Sequence, residues 1–113
     1  MKEDNFYPEL IKNLPEADIP FKGIRGWISQ AEDHQVVYMD IQPIGEVRAH
    51  NHGEQWGYVF EGDMDLTIGD VTKTYKKGDS YFIPEGVMHS AIFKKRTLVM
   101  DFFGEKERYQ VKK

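Results

Sequence analysis

Beyond Trp27 the chain alternates between apolar and polar positions. The pattern runs through "HQVVYMDIQP", "WGYVFEG", "MDLTIGD", "VTKTYKKGD", "SYFIPEG", "HSAIF" and "TLVMDFFG". A period of two marks a strand with one buried face, because successive side chains point to opposite sides of the pleat. The segments are β-branched and aromatic and recur about every ten residues. Gly62, Gly69-Asp70, Gly78-Asp79, Glu85-Gly86 and Lys94-Lys95 punctuate them. Short strands at such even spacing predict an all-β sandwich or barrel. The clearest hairpin is "LTIGDVTKTY", two alternating strands around a two-residue Gly69-Asp70 turn of the primed kind.

The flanks read differently. Pro8, Pro15, Pro20, Gly23 and Gly26 cut the N-terminal part into short pieces, and Phe6, Leu10, Ile11 and Leu14 predict one or two turns of helix there. Residues 1–34 are expected to be an arm lying across a barrel of residues 35–104. The tail, residues 105–113, is expected to be a short helix or loose. No linker or internal repeat interrupts the chain.

Composition narrows the function classes. The chain has 113 residues, 40% apolar and 30% charged, which suits one soluble domain with one core. A net charge of -4 argues against a nucleic-acid or anionic-membrane surface. No stretch approaches the roughly 18 apolar residues of a membrane span, and "MKEDNFYPELIKNL" does not read as a signal peptide. Cysteine is absent, which removes disulfides, thiolate ligands and a cysteine nucleophile. A cytoplasmic protein is the expectation.

Candidate chemistry concentrates in "HNHGEQWGYVFEG". On a strand, His50 and His52 point the same way, so inward-facing imidazoles converge on one point. Gln55 follows a glycine-containing bend and can offer its amide oxygen there, with Glu54 as the alternative. His89, just past the Pro84–Gly86 turn, supplies a third imidazole. Inward histidines need partners, and a shared cation serves all of them together. His34, in "QAEDHQ", reads as an exposed loop residue. Asp101 sits in the apolar run "LVMDFFG" and is either an acid/base group or a turn cap. Arg108, Tyr38 and Arg48 are weaker pocket candidates, Arg108 reading more readily as exposed. Trp56, Tyr58 and Phe60 alternate opposite to Gln55 and are expected between sheets or at a dimer contact.

These residues resemble the two signature motifs of the cupin superfamily. The first is Gly45, "EVRA", His50-Asn51-His52, "GE", Gln55, "WGYVFE", Gly62, with the spacers before His50 and after His52 each one residue shorter than the usual pattern. The second is Gly78, "DSYFI", Pro84-Glu85-Gly86, "VM", His89, with Phe93 where the pattern closes on asparagine. The resemblance implies a double-stranded β-helix, or jelly-roll barrel, and a divalent transition metal (Ni, Zn, Fe or Mn) on His50, His52, His89 and Gln55. It also implies a homodimer. "EQWGYVFEGDMDLTIGD" is similar to small cupins with three histidines and a glutamine, one group of which linearises unsaturated uronates. A neutral ligand set leaves the full +2 charge of the ion, which favours a small anionic, carbohydrate-like ligand held by Lewis-acid polarisation. A metal-dependent binding or sensor module without turnover is the alternative.

Overall fold

The computed structural model describes residues 6–113. Residues 1–5 of the expected arm lie outside the described residues. Among the described residues, one helical turn, α1 (Glu9–Lys12), precedes nine strands: β1 (Ile24–Gln30), β2 (Gln35–Ile41), β3 (Gly45–His50), β4 (Gln55–Glu61), β5 (Asp63–Ile68), β6 (Val71–Lys76), β7 (Ser80–Ile83), β8 (His89–Phe93) and β9 (Thr97–Phe103). They form a five-stranded sheet, β1-β2-β9-β4-β7, and a four-stranded sheet, β3-β8-β5-β6. Every neighbouring pair is antiparallel. From β6 to β9 the chain changes sheet at each step, as a jelly-roll barrel requires.

Strand β2 shows how the sequence pattern becomes a core. Gln35, Val37, Met39 and Ile41 are buried, and the residues between them are half-buried. Val37, Met39, Val59, Val99 and Phe103 from the larger sheet belong to one cluster with Val47, Met64, Leu66, Ala91 and Phe93 from the smaller. Each fully buried side chain of this kind contributes roughly 1.5–3 kcal/mol. The Gly69-Asp70 hairpin forms as expected, with Ile68 facing Val71 and Gly69 at φ 63°. Positive φ at the first central residue alone is the II′ pattern, which matches the strand twist.

The flanks hold two findings beyond the sequence expectation. Ile24–Gln30, assigned to the arm, is a strand paired along its whole length with β2. Of the preceding residues, Ala17, Ile19 and Phe21 pack with the core cluster between the sheets, and Tyr7 lies on the larger sheet's outer face. There Tyr7 packs with Trp27 and Leu98, its hydroxyl 2.8 Å from the Met39 carbonyl and 3.1 Å from that of Val99.

The tail is neither a helix nor loose. Tyr109 is buried and both its backbone polar groups bond to the Gln35 amide, at 2.9 and 3.1 Å. Val111 bridges Ala17. The apolar ring of Tyr109 and the backbone pairing fix a segment whose own sequence carries no period.

Candidate metal centre

His50 closes β3 and faces His89, which opens β8. His52 is not on a strand. It lies in the segment between β3 and β4, so simple alternation does not explain how the imidazoles meet. A register shift between Val47 and His50 and the turn after Pro84 bring them together. The Gly86 amide donates to the His52 carbonyl at 2.9 Å, which ties the two motifs to each other.

The ligand atoms of His50, His52 and His89 all lie within 4.8 Å of one another. Each Nδ1 meets a backbone carbonyl: Arg48 at 2.9 Å, Gly53 at 2.8 Å and Val87 at 3.0 Å, respectively. A carbonyl only accepts, so this contact puts the proton on Nδ1 and leaves the lone pair on Nε2. His52 Nε2 and His89 Nε2 stand 3.2 Å apart. Two lone pairs at that distance repel unless a cation lies between them. Metal–nitrogen bonds of about 2.0–2.1 Å place two imidazole nitrogens ~3.0 Å apart at a right angle and ~3.3 Å apart at a tetrahedral angle. The donor set therefore fits a divalent transition ion. Burial, and then the nearby Arg108 charge, push the His52 imidazole down to about 4. Burial also lowers His89. Both are neutral at pH 7, the form that binds a metal.

Gln55 opens β4, is buried, and lines the same cavity. Glu54 is exposed and lies outside the cavity lining, against Gly104, whose amide donates to its carbonyl at 2.9 Å. Asp101 is in mid-strand, paired with Val37 and Gly57, so it caps no turn. Its Oδ1 accepts from the Tyr81 hydroxyl at 2.7 Å. Burial raises its carboxyl to about 6, against the opposing pull of hydrogen bonds from Tyr81 and Gln55 and of the Arg108 charge.

Arg108 enters from the tail. Its guanidinium lies over the Tyr109 ring at 4.2 Å and the Phe103 ring at 5.6 Å. Its Nε is buried with no hydrogen-bond partner among the described residues. Arg108 thus lines the cavity rather than sitting exposed.

Other expectations are corrected. Tyr38 packs on the outer face beside Tyr7, and Arg48 is exposed; neither lines the cavity. Trp56, Tyr58 and Phe60 do not pack between the sheets. They stand on the outer face of the larger one, Trp56 40% exposed and Phe60 against Phe6 and Tyr7. His34 is a loop residue, yet it stacks on Phe102 at 4.4 Å.

Tyr81, Gly57, Glu105 and Phe21 join the site only in the folded structure. A Cβ on Gly57 would overlap the Tyr81 ring, so glycine there makes room for the side chain that reaches Asp101. Alternation of Tyr81 with Ile83 was the available signal. Glu105 Oε2 accepts from the Gly53 amide at 2.6 Å and lies 3.6 Å from His52 Nδ1. Only the folded tail brings it there.

A two-sheet jelly roll with three clustered imidazoles at its interior defines a barrel with a candidate metal centre. Residues 37–102 match the Cupin_2 family of cupin domains, and the chain belongs to that family. It is 32% identical over 93 residues to the H2HPP isomerase of Bacillus subtilis, covering 80% of this chain and 39% of that protein. The chain thus spans well under half the length of that relative. Among solved structures it resembles an RmlC-like cupin from Shewanella frigidimarina (TM-score 0.74, 23% identity, 85% and 88% of the two chains covered). KdgF from Halomonas sp. is similar too (TM-score 0.73, 24% identity, 86% and 92% covered). At these identities the two structures speak to the fold.

Proposed function

We propose that this protein holds a divalent transition ion through His50, His52, His89 and the Gln55 amide oxygen. In this reading the ion and Arg108 together bind a small anionic ligand, and Asp101 moves a proton on it. The observation that carries the reading is Arg108. A guanidinium with a buried, unpartnered Nε beside neutral imidazoles is a site prepared for an anion.

The chain's own residues have distinct tasks. Gly53, Val87 and Arg48 carbonyls hold the imidazole tautomers. Asp101 accepts from the Gln55 amide, which turns the Gln55 oxygen away from the carboxylate and frees it for the ion. Tyr81 fixes the Asp101 carboxylate. Arg108 orients the ligand's carboxylate. Phe21, whose ring lies 5.9 Å from that of His50, limits water at the mouth. The ion, when bound, polarises a ligand oxygen and acidifies the neighbouring C–H bond. The 32% identity to an isomerase supports a proton-transfer reaction over a purely binding role.

Elemental analysis of the purified protein and of His89→Ala tests the metal: one ion per chain is expected, and its loss in the variant. Exchange of α-protons of 2-oxo acids in D2O, followed by NMR, tests the chemistry. Exchange that falls at least about 100-fold in Asp101→Asn supports it. A metal-loaded protein that binds acids but exchanges none leaves only the binding-module reading, and a protein without metal ends both.

The homodimer belongs to the same proposal. Phe102, Trp56 and Phe82 stand side by side across three paired strands and are 39%, 40% and 52% exposed. An apolar row of this kind supports sheet-to-sheet packing of two copies. Trp56→Glu is expected to convert the dimer to a monomer in sedimentation equilibrium. A wild-type monomer at every concentration contradicts it.

A further inference from the structure

We infer that the ligand is a short 2-oxo or 2-hydroxy acid with a compact aliphatic body, and not a polyhydroxylated sugar acid. This deepens the proposed function and rests on its anionic ligand. The cavity provides few polar groups beyond those already engaged. Of its 21 lining residues, twelve are Phe, Ile, Met, Val, Leu or Ala. Tyr81 spends its hydroxyl on Asp101, and one amide N–H of Gln55 faces the same carboxylate. The three imidazoles spend Nδ1 on backbone carbonyls and keep Nε2 for the ion. Arg108, the remaining lone pairs of Asp101, Ser90 and the Tyr109 hydroxyl are left to meet polar atoms of a ligand.

A sugar acid brings three or four hydroxyls besides its carboxylate. Against Ile24, Ile41, Val47, Met64, Leu66 and Phe93 those hydroxyls would lose water and find no partner. An aliphatic body loses nothing on the same walls and gains with each buried carbon. The acid end has its own partner on this chain: Arg108, whose buried Nε lacks an acceptor among the described residues, would take a carboxylate oxygen, while an ion held by the three imidazoles would favour the remaining oxygens of the acid end.

Calorimetric titration of the metal-loaded full chain tests this with three probes: pyruvate, 4-methyl-2-oxopentanoate and galacturonate. The branched acid is expected to bind at least about tenfold tighter than pyruvate, since three more carbons are buried. Galacturonate is expected to bind no tighter than pyruvate. Galacturonate binding as tightly as the branched acid, or a branched acid no better than pyruvate, would overturn the inference and leave the anion-binding site standing. No binding of any of the three acids would overturn the anionic-ligand reading and this inference with it.

Discussion

Asp40 and Arg96 meet as a two-pronged ion pair on the outer side of the larger sheet, at 2.9 and 2.7 Å, with about four-fifths of each side chain covered. Asp101 and Arg108, inside the barrel, make no such pair. Asp101 is held by the neutral donors Tyr81 and Gln55, and Arg108 rests on the rings of Tyr109 and Phe103. The same two residue types are neutralised in one place and kept apart in the other. Opposite charges that pair directly leave nothing for a third party; charges held apart at the cost of burial can bind one. The first arrangement clamps strands, and the second prepares a site.

The contrast is sharpest for the two arginines. Arg108→Met is expected to weaken binding of a carboxylate ligand about 100-fold, the loss of a charge-assisted, buried contact, with little loss of folding stability. Arg96→Met should do the opposite, leaving ligand affinity unchanged and costing about 2 kcal/mol of stability because Asp40 is left unpaired. Parallel calorimetric and urea titrations of both variants read this out, and equal effects on both quantities would erase the distinction.

The aspartates come next. The folded carboxyl of Asp101 titrates near 6, above the ordinary 3.8. A raised folded value means its contribution is fully present below about pH 3.8 and is lost as pH rises through about 6. Relieving the buried charge with Asp101→Asn should therefore stabilise the metal-free protein at pH 8 by about 1–3 kcal/mol, with little change at pH 4. Denaturant midpoints at the two pH values measure the difference. Asp40→Asn, which removes the paired partner of Arg96, should destabilise at pH 8, and a matching gain there would contradict the comparison.

The smallest effect is expected at Glu105. Replacing it with Gln keeps an acceptor for the Gly53 amide but removes the charge near His52. Metal affinity should fall a fewfold and stability by less than about 1 kcal/mol. Competition against a chromogenic chelator would detect it, and a loss beyond 100-fold would mean that Glu105 itself reaches the ion.

Much of this was written locally. Strand positions β2 and β4 to β9, the Gly69-Asp70 turn and the three imidazoles follow from alternation, turn residues and motif spacing, each of which depends on neighbours only a few residues away. The sequence could name His50, His52 and His89 because their type is chemical and rare in this chain.

It could not decide geometry that depends on distant segments. His52 reaches the others through a bend and a register shift, not through strand alternation. Tyr38 and Gln55 both begin as polar groups near the motif, yet the sheet turns one outward and the other inward. Arg108 and Glu105 lie in a tail without a hydrophobic period. Their place was fixed only when Tyr109 entered the core and Gln35, more than seventy residues away, bonded its backbone. Periodicity records which face of an element is buried. Which charges then meet, and which are kept apart, is decided by packing between elements that the chain's linear order does not bring together.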